Sequence, residues 1–245
     1  MKISIICVYN DESKYQTEFL EGLSIQDIDY ELKAINNSDK SFPSSSKAYN
    51  YAVKQSCGDV LIFAHQDIRL KTSDALRKMA EMIKNSDVGD IIGTQGVREK
   101  SKVYYSNITA GEEFVADIVE DYKYEKINVA CIDEGFFGMR RETFDLHEFD
   151  EELCDNWHLY SVEQCLYARE SGHKVWVCPI QLHHSSYGNI SWGYMKNLRE
   201  LCKRYRKSFK YIWTTCYKVR TNPIYINSLL VVWATWRKLR GKKLN

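Results

Sequence analysis

The sequence predicts an α/β protein whose mostly parallel sheet is flanked by helices, with a basic helical extension at the C-terminal end. Two observations carry the fold class. Apolar strand-like runs alternate with helical stretches through the first 95 of the 245 residues, the order expected of βαβ units. One of those runs, Val60-Leu61-Ile62-Phe63-Ala64, is apolar at every position, as a strand covered on both faces requires. A third observation marks the extension. From Lys196 to Asn245 there are 14 Lys and Arg against the single acid Glu200, while the preceding residues carry 20 bases and 32 acids. Such asymmetry points to an anionic partner for the C-terminal fifth.

The elements follow in order. Ile3 to Tyr9 is a β-branched apolar run that stops at Asn10-Asp11-Glu12, a buried strand followed by a polar turn. Ser13 to Gly22 forms a short helix, and Tyr30 to Ile35 a second strand broken by Asn36-Asn37-Ser38-Asp39. Serines 44 to 46 cap a helix over Lys47 to Ser56, with Ala48, Tyr51, Ala52 and Gln55 at helical spacing. The turn Cys57-Gly58-Asp59 leads into the apolar strand and its terminus, His65-Gln66-Asp67. Further on, Asp74 to Asn85 and Leu159 to Ser171 read as helices. Val88 to Gly93, Ile127 to Ile132, Phe136 to Arg140 and Lys174 to Cys178 read as strands.

Composition excludes several classes. Apolar residues at 44% and charged residues at 27% are those of a globular protein, not a disordered one. The eight cysteines form no CxxC pair and no zinc-type spacing, so they read as buried thiols of a reducing compartment. The N-terminus enters a strand at once, without the h-region of a signal peptide, and the expected location is the cytoplasm. No glycine-rich phosphate loop is present, which disfavours Rossmann dinucleotide binders and P-loop enzymes.

Open α/β sheets bind ligands beyond the carboxyl ends of their strands. Polar residues stand at three such ends: Asn10-Asp11, Asn36-Asn37-Ser38-Asp39 and His65-Gln66-Asp67. One would be an ordinary turn, but three on one edge suggest a nucleotide pocket.

The residues from Ser46 to Asp67 resemble the signature of the family 2 glycosyltransferases: a helix bearing an Asn, a Gly-acidic turn, an apolar strand and an acidic metal motif. They are most similar to a subgroup with His-Gln-Asp in place of Asp-x-Asp. Two further matches follow in the family's order. The first is Gly135-Phe136-Phe137-Gly138-Met139-Arg140-Arg141-Glu142-Thr143-Phe144 with Phe149-Asp150-Glu151. The second runs from Trp157-His158-Leu159-Tyr160 through Gly172-His173-Lys174-Val175 to His183-His184-Ser185-Ser186-Tyr187-Gly188. The resemblance implies a GT-A catalytic domain over residues 1–188, its nucleotide-sugar-binding half about 1–95 and its acceptor half about 96–188, with 189–245 as the basic helical segment.

The activity it implies is inverting transfer of a sugar from a nucleotide-sugar, a UDP-sugar by expectation, to a cell-surface glycan or polyprenyl-linked acceptor. A divalent cation, Mn²⁺ or Mg²⁺, would stabilise charge developing on the departing diphosphate. Asp67 is the natural ligand, with His184 completing the metal site and His65 ligating or orienting. Asn10, Asn36, Asn37, Asp39, Lys47, Asn50, His65 and Gln66 are the donor-binding candidates. Inversion needs a base. Ser161 stands where the family places an acidic residue, so Glu163, His158 or Asp155 must substitute, and Glu163 is the leading candidate on helical placement. Two other readings remain, a catalytically inactive GT-A scaffold or partner subunit and a nucleotidyltransferase.

The apolar run 224–236 is shorter than the about 20 residues a bilayer span needs. Followed by Arg237-Lys238-Leu239-Arg240-Gly241-Lys242-Lys243, it reads either as an interfacial helix on an anionic membrane or as a helix packed on the domain. The apolar interleaving argues against nucleic acid as the partner of this basic stretch.

Overall fold

The computed structural model describes residues 1–99, 104–117, 125–186 and 190–241. The predicted boundary at Gly188, with Tyr187 of the last motif, and the terminal Lys242 and Lys243 lie outside them.

Strand β1 (Ile3–Tyr9) leads into one helical stretch made of α1 (Glu12–Lys14), a π-helical segment (Tyr15–Leu20) and α2 (Glu21–Ser24). Strand β2 (Glu31–Asn36), helix α3 (Ser45–Lys54) and strand β3 (Val60–His65) complete the first βαβ unit. The Ser44 hydroxyl caps α3 by accepting from the Lys47 amide. Then come β4 (Ile68–Leu70), α4 (Ala75–Lys84), β5 (Ile91–Gly93), β6 (Gln95–Val97), β7 (Tyr104–Ser106) and β8 (Ile108–Ala110). The predicted strand over Ile127 to Ile132 resolves into β9 (Ile127–Asn128) and β10 (Cys131–Ile132), which join different sheets. The chain continues through β11 (Phe136–Arg140), α5 (Arg141–Leu146), α6 (Tyr160–Glu170), β12 (Val175–Val177) and β13 (Leu182–His184). It ends with α7 (Trp192–Tyr205), β14 (Tyr211–Trp213), β15 (Lys218–Arg220) and α8 (Pro223–Leu239).

The main sheet has seven strands in the order β2-β1-β3-β11-β5-β12-β9. Strands β2, β1, β3, β5 and β12 run one way; β11 is antiparallel to β3 and β5, and β9 to β12. The sheet is therefore mostly parallel by direction but mixed by pairing. The reversal of β11 matters for the site, because its first residue, Phe136, pairs with Ala64 near the end of β3.

Alternation along the central strands feeds two cores. Ile6, Leu61, Phe63 and Phe137 face the layer of α3 and α6, where Tyr49, Phe144, Phe149 and Tyr160 pack. Ile5, Cys7, Ile62 and Ala64 face the other layer with Phe19, Leu23, Leu76 and Met79. A third cluster joins Leu159, Val162 and Leu166 of the α6 region to Leu198 and Leu201 of α7 and to Ile226 and Leu230 of α8. Helix α6 is thereby packed between the sheet and α7, and eight of its eleven residues are buried, the polar Ser161, Glu163 and Gln164 among them. The cysteines are all free thiols, six buried and Cys57 and Cys216 exposed.

Candidate functional site

The carboxyl ends of β2, β1 and β3 share one edge, because the three strands are parallel neighbours. Gln66 ties that edge together. Its Oε1 accepts from the Asn10 and Asp11 amides at 2.8 and 2.9 Å, and its Nε2 donates to Asn10 Oδ1 at 3.0 Å. These contacts fix the turn after β1 against the turn after β3, so Gln66 shapes the opening from within. Asn37 does similar work after β2. It is buried, its Nδ2 donates to the Phe42 carbonyl, and its Oδ1 accepts from the Phe42 amide at 2.8 Å. Asn36 and Asp39 are exposed and accept from the Ser38 and Ser41 amides.

Asp67 stands just beyond β3, where β4 and β13 form an antiparallel pair that sets His184 opposite Ile68. The Ser185 amide donates to the Asp67 carbonyl at 3.0 Å. His184 Nε2 is 3.4 Å from Asp67 Oδ1, and the His65 and His184 rings are 6.0 Å apart between centroids. One ligand atom from each of His65, Asp67 and His184 fits within a 4.8 Å cluster. Two imidazole nitrogens and a carboxylate oxygen form a mixed donor set of the kind that divalent transition-metal ions accept, and depart from the all-oxygen preference of Mg²⁺. The adjacent His183 is committed elsewhere: it is buried, takes the Thr109 hydroxyl at Nδ1, and donates from Nε2 to the Gly111 carbonyl at 2.9 Å.

The electrostatics favour an ionised carboxylate. Burial works to raise the Asp67 pKa, but the His184 hydrogen bond, the charges of His65 and His184 and the Ser186 hydroxyl prevail, holding it well below the usual range. Burial dominates at His65 and lowers its pKa, although Asp67 opposes the shift. At His184 burial is overcome by the hydrogen bond and charge of Asp67, and the pKa rises.

Next to this cluster lies a second group that the sequence reading did not identify. Asp133 and Glu134 immediately precede Gly135 and the reversed strand β11, so they enter the edge from the opposite direction to Asp67. Glu134 Oε2 is 3.5 Å from His158 Nδ1, and Glu134 Oε1 accepts from the Leu159 amide. Asp133 Oδ2 accepts from Thr215 of the loop between β14 and β15 at 3.1 Å. Tyr160 connects the groups, its hydroxyl lying 3.1 Å from His65 Nε2 and donating to the Glu134 carbonyl at 3.4 Å. Leu159, between His158 and α6, has φ 73°, a left-handed conformation that costs a β-carbon residue energy and is held by its buried side chain. The His158 pKa is raised overall: burial lowers it, but the hydrogen bond and charge of Glu134 outweigh that.

The other predicted residues are placed differently. Lys47 is exposed on α3, and Asp155 is exposed in the loop before α6. Asn50, expected to touch the donor, is buried and clamps that loop, donating to the Phe149 carbonyl and Glu151 and accepting from the Phe149 amide. Glu163, the expected base, does not face the opening. It is 1% exposed, and its carboxylate accepts from His147 Nε2 at 2.9 Å and from the Tyr205 hydroxyl at 2.6 Å. Packing of α6 beneath α7 turns it inward. Ser161 is also buried, 3.5 Å from the Ile132 carbonyl.

The sequence model of a family described as "Glycosyltransferase like family" matches residues 4–213. No curated protein matches the chain. Among solved structures, GalNAc-T7 with UDP, GalNAc and Mn²⁺ has a TM-score of 0.60 at 12% identity, over 84% of this chain and 49% of its own. S. aureus TarS 1–349 in complex with UDP-GlcNAc has a TM-score of 0.55 at 13% identity, over 82% of this chain and 66% of its own. Mannosyltransferase PcManGT from Pyrobaculum calidifontis, in complex with GDP-Man and Mn²⁺, has a TM-score of 0.55 at 11% identity, over 96% of this chain and 71% of its own. The chain spans about half of the first of these proteins and about two thirds of the second. The large mixed sheet with flanking helices is the GT-A fold that these structures share with it.

Proposed function

We propose that this chain, which belongs to the glycosyltransferase-like family, transfers a sugar from a nucleoside-diphosphate sugar to an acceptor hydroxyl with inversion. The observation that carries this reading is the convergence of His65, Asp67 and His184 at the carboxyl edge of the parallel strands. Solved structures of the same fold hold nucleotides with Mn²⁺. A divalent cation held by His65, Asp67 and His184 would neutralise charge on the diphosphate leaving group. UDP-sugars are the donor class we favour, and a surface glycan or lipid-linked sugar the acceptor class.

The chain's own groups supply the rest. Asn10 and Asn36, exposed at the ends of β1 and β2, offer side chains to the nucleoside, with Gln66 and Asn37 holding their turns. Lys47, exposed on α3, supplies a cation for the diphosphate. For the base we replace Glu163 with His158. Glu134 engages His158 Nδ1, which leaves Nε2 to take the acceptor proton as its oxygen attacks. The tautomer this requires is the one a carboxylate partner selects, since the carboxylate accepts from Nδ1–H.

The test is thermal stabilisation of the protein by UDP-, GDP- and other nucleotide-sugars, with and without Mn²⁺, followed by product detection for the donor that binds. Stabilisation that needs the cation and disappears in Asp67→Asn supports the reading. A protein indifferent to every donor in the presence of Mn²⁺ refutes it.

A further inference from the structure

Helix α8 leaves a broad apolar face uncovered. Its inward side is narrow, with Ile226 and Leu230 buried in the cluster shared with α6 and α7. On the opposite side Ile224, Val231, Val232 and Leu239 are 78%, 66%, 65% and 82% exposed, with Tyr225 and Trp236 beside them. At 3.6 residues per turn these six positions form one stripe about 140° wide, in which Ser228 and Thr235 are the small polar interruptions. Scattered exposed apolar side chains need no explanation, but a contiguous stripe of this kind marks an interaction surface.

The charge around the stripe identifies what it meets. Lys238 flanks one side and Arg240 the other, the Arg240 guanidinium lying 4.4 Å over the Trp236 ring. Beside it, α7 exposes Lys196, Lys203 and Arg204, and Arg199 donates to Asn227 of α8 at 2.7 Å, fixing the two helices together. From Lys196 onward the sequence carries fourteen bases against one acid, so the part of the chain that bears this apolar stripe is strongly cationic. A second copy docked across a two-fold axis would set that charge against itself, and the flanking charges disfavour it. Among the described residues no helix is long and apolar enough to cross a membrane.

We infer that α8 docks this protein on an anionic lipid bilayer, lying in the interface with its apolar stripe at the boundary of headgroups and acyl chains and Lys238 and Arg240 at the lipid phosphates. Aromatic side chains with a polar edge, as at Tyr225 and Trp236, favour that depth. The helix is already formed, because Asn222 caps it with Oδ1 and Pro223 opens it, so docking does not have to fold it. The inference rests on α8 and the charges on and beside it, and stands or falls separately from the transfer reaction.

The test is co-sedimentation of the full chain with vesicles of equal parts phosphatidylglycerol and phosphatidylcholine, and with vesicles of phosphatidylcholine alone. The full chain should bind the anionic vesicles at low salt, with a blue shift of tryptophan emission, and high salt should weaken binding by about tenfold or more. Val231→Ser with Val232→Ser should lower the partition by about tenfold or more at unchanged thermal stability, because both side chains are exposed. Ile224→Ser with Leu239→Ser repeats the test at the ends of the stripe should the first pair disturb the fold. No binding of the full chain to anionic vesicles overturns the inference, as does undiminished binding by both pairs. A dimer of the full chain that either pair converts to monomer assigns the face to a second copy and likewise overturns it.

Discussion

Replacing Glu163 with Gln separates a buried structural carboxylate from a catalytic one. The wild-type carboxylate is sealed at 1% exposure and accepts from His147 Nε2–H through both oxygens and from Tyr205 O–H at 2.6 Å. Gln keeps the volume and one accepting oxygen, but its amide nitrogen then faces a donor. Either the histidine or the buried Tyr205 hydroxyl loses its partner, at a cost of about 1–3 kcal/mol, and the charge-assisted character of the remaining bond goes too. We therefore expect a loss of about 2–4 kcal/mol, seen as a fall in Tm of about 5–15 °C for a chain of this size. Glu163→Ala should lose more, about 3–5 kcal/mol, because a cavity is added to two orphaned donors. Urea titrations followed by circular dichroism measure the first quantity. The kcat of the folded Gln variant, assayed well below its Tm, measures the second and should stay within about twofold of wild type. A Gln variant with wild-type stability and kcat reduced by about a hundredfold or more would show that the carboxylate reaches the acceptor, and would refute this account of α6.

Three further outcomes are expected. Asp67→Asn should reduce kcat/KM by about a hundredfold or more and abolish stabilisation by nucleotide with Mn²⁺, at a stability cost of only about 1–3 kcal/mol, since its partly buried partner is His184; normal turnover of that variant would remove Asp67 from the cation. A base at His158 must be neutral, so kcat/KM should rise with pH through an inflection displaced upward by Glu134, and Glu134→Gln should move that inflection down; a profile unchanged by Glu134→Gln contradicts the pairing. Glu31 accepts from Ser4, Lys33 and the Cys57 amide, and the Lys33 and Ser4 hydrogen bonds with the Cys57 amide hold its pKa down at about 2. A depressed folded-state pKa stabilises the protein above the ordinary carboxylate value and is lost as pH falls towards 2, so Glu31→Gln should cost about 1 kcal/mol at pH 7 and progressively less in acid. Denaturation midpoints for the two proteins that stay equally far apart from pH 7 to pH 3 would contradict this.

What the sequence alone determined was set by period and order. The all-apolar run Val60 to Ala64 read as a central strand and is one, in β3. Three polar strand ends read as one edge, and parallel pairing of β2, β1 and β3 puts them there. Asp67 and His184, expected from the resemblance to share a metal site, lie 3.4 Å apart. Tertiary structure decided the rest. Asp133 and Glu134 escaped notice because they precede a strand, and only the reversal of β11 makes a strand's beginning coincide with the edge where parallel strands end. Gln66 and Asn50 looked like ligand-binding side chains, but each is engaged by backbone groups and one side chain distant in the chain, which no local pattern reveals. Glu163 was chosen as the base on its place near the start of a helix, and that place says nothing of what covers the helix. In α6 the sheet covers one side and α7 the other, so its polar groups are satisfied inside the protein. Periodicity records which residues share a face of an element, whereas what covers that face depends on elements placed by the rest of the chain.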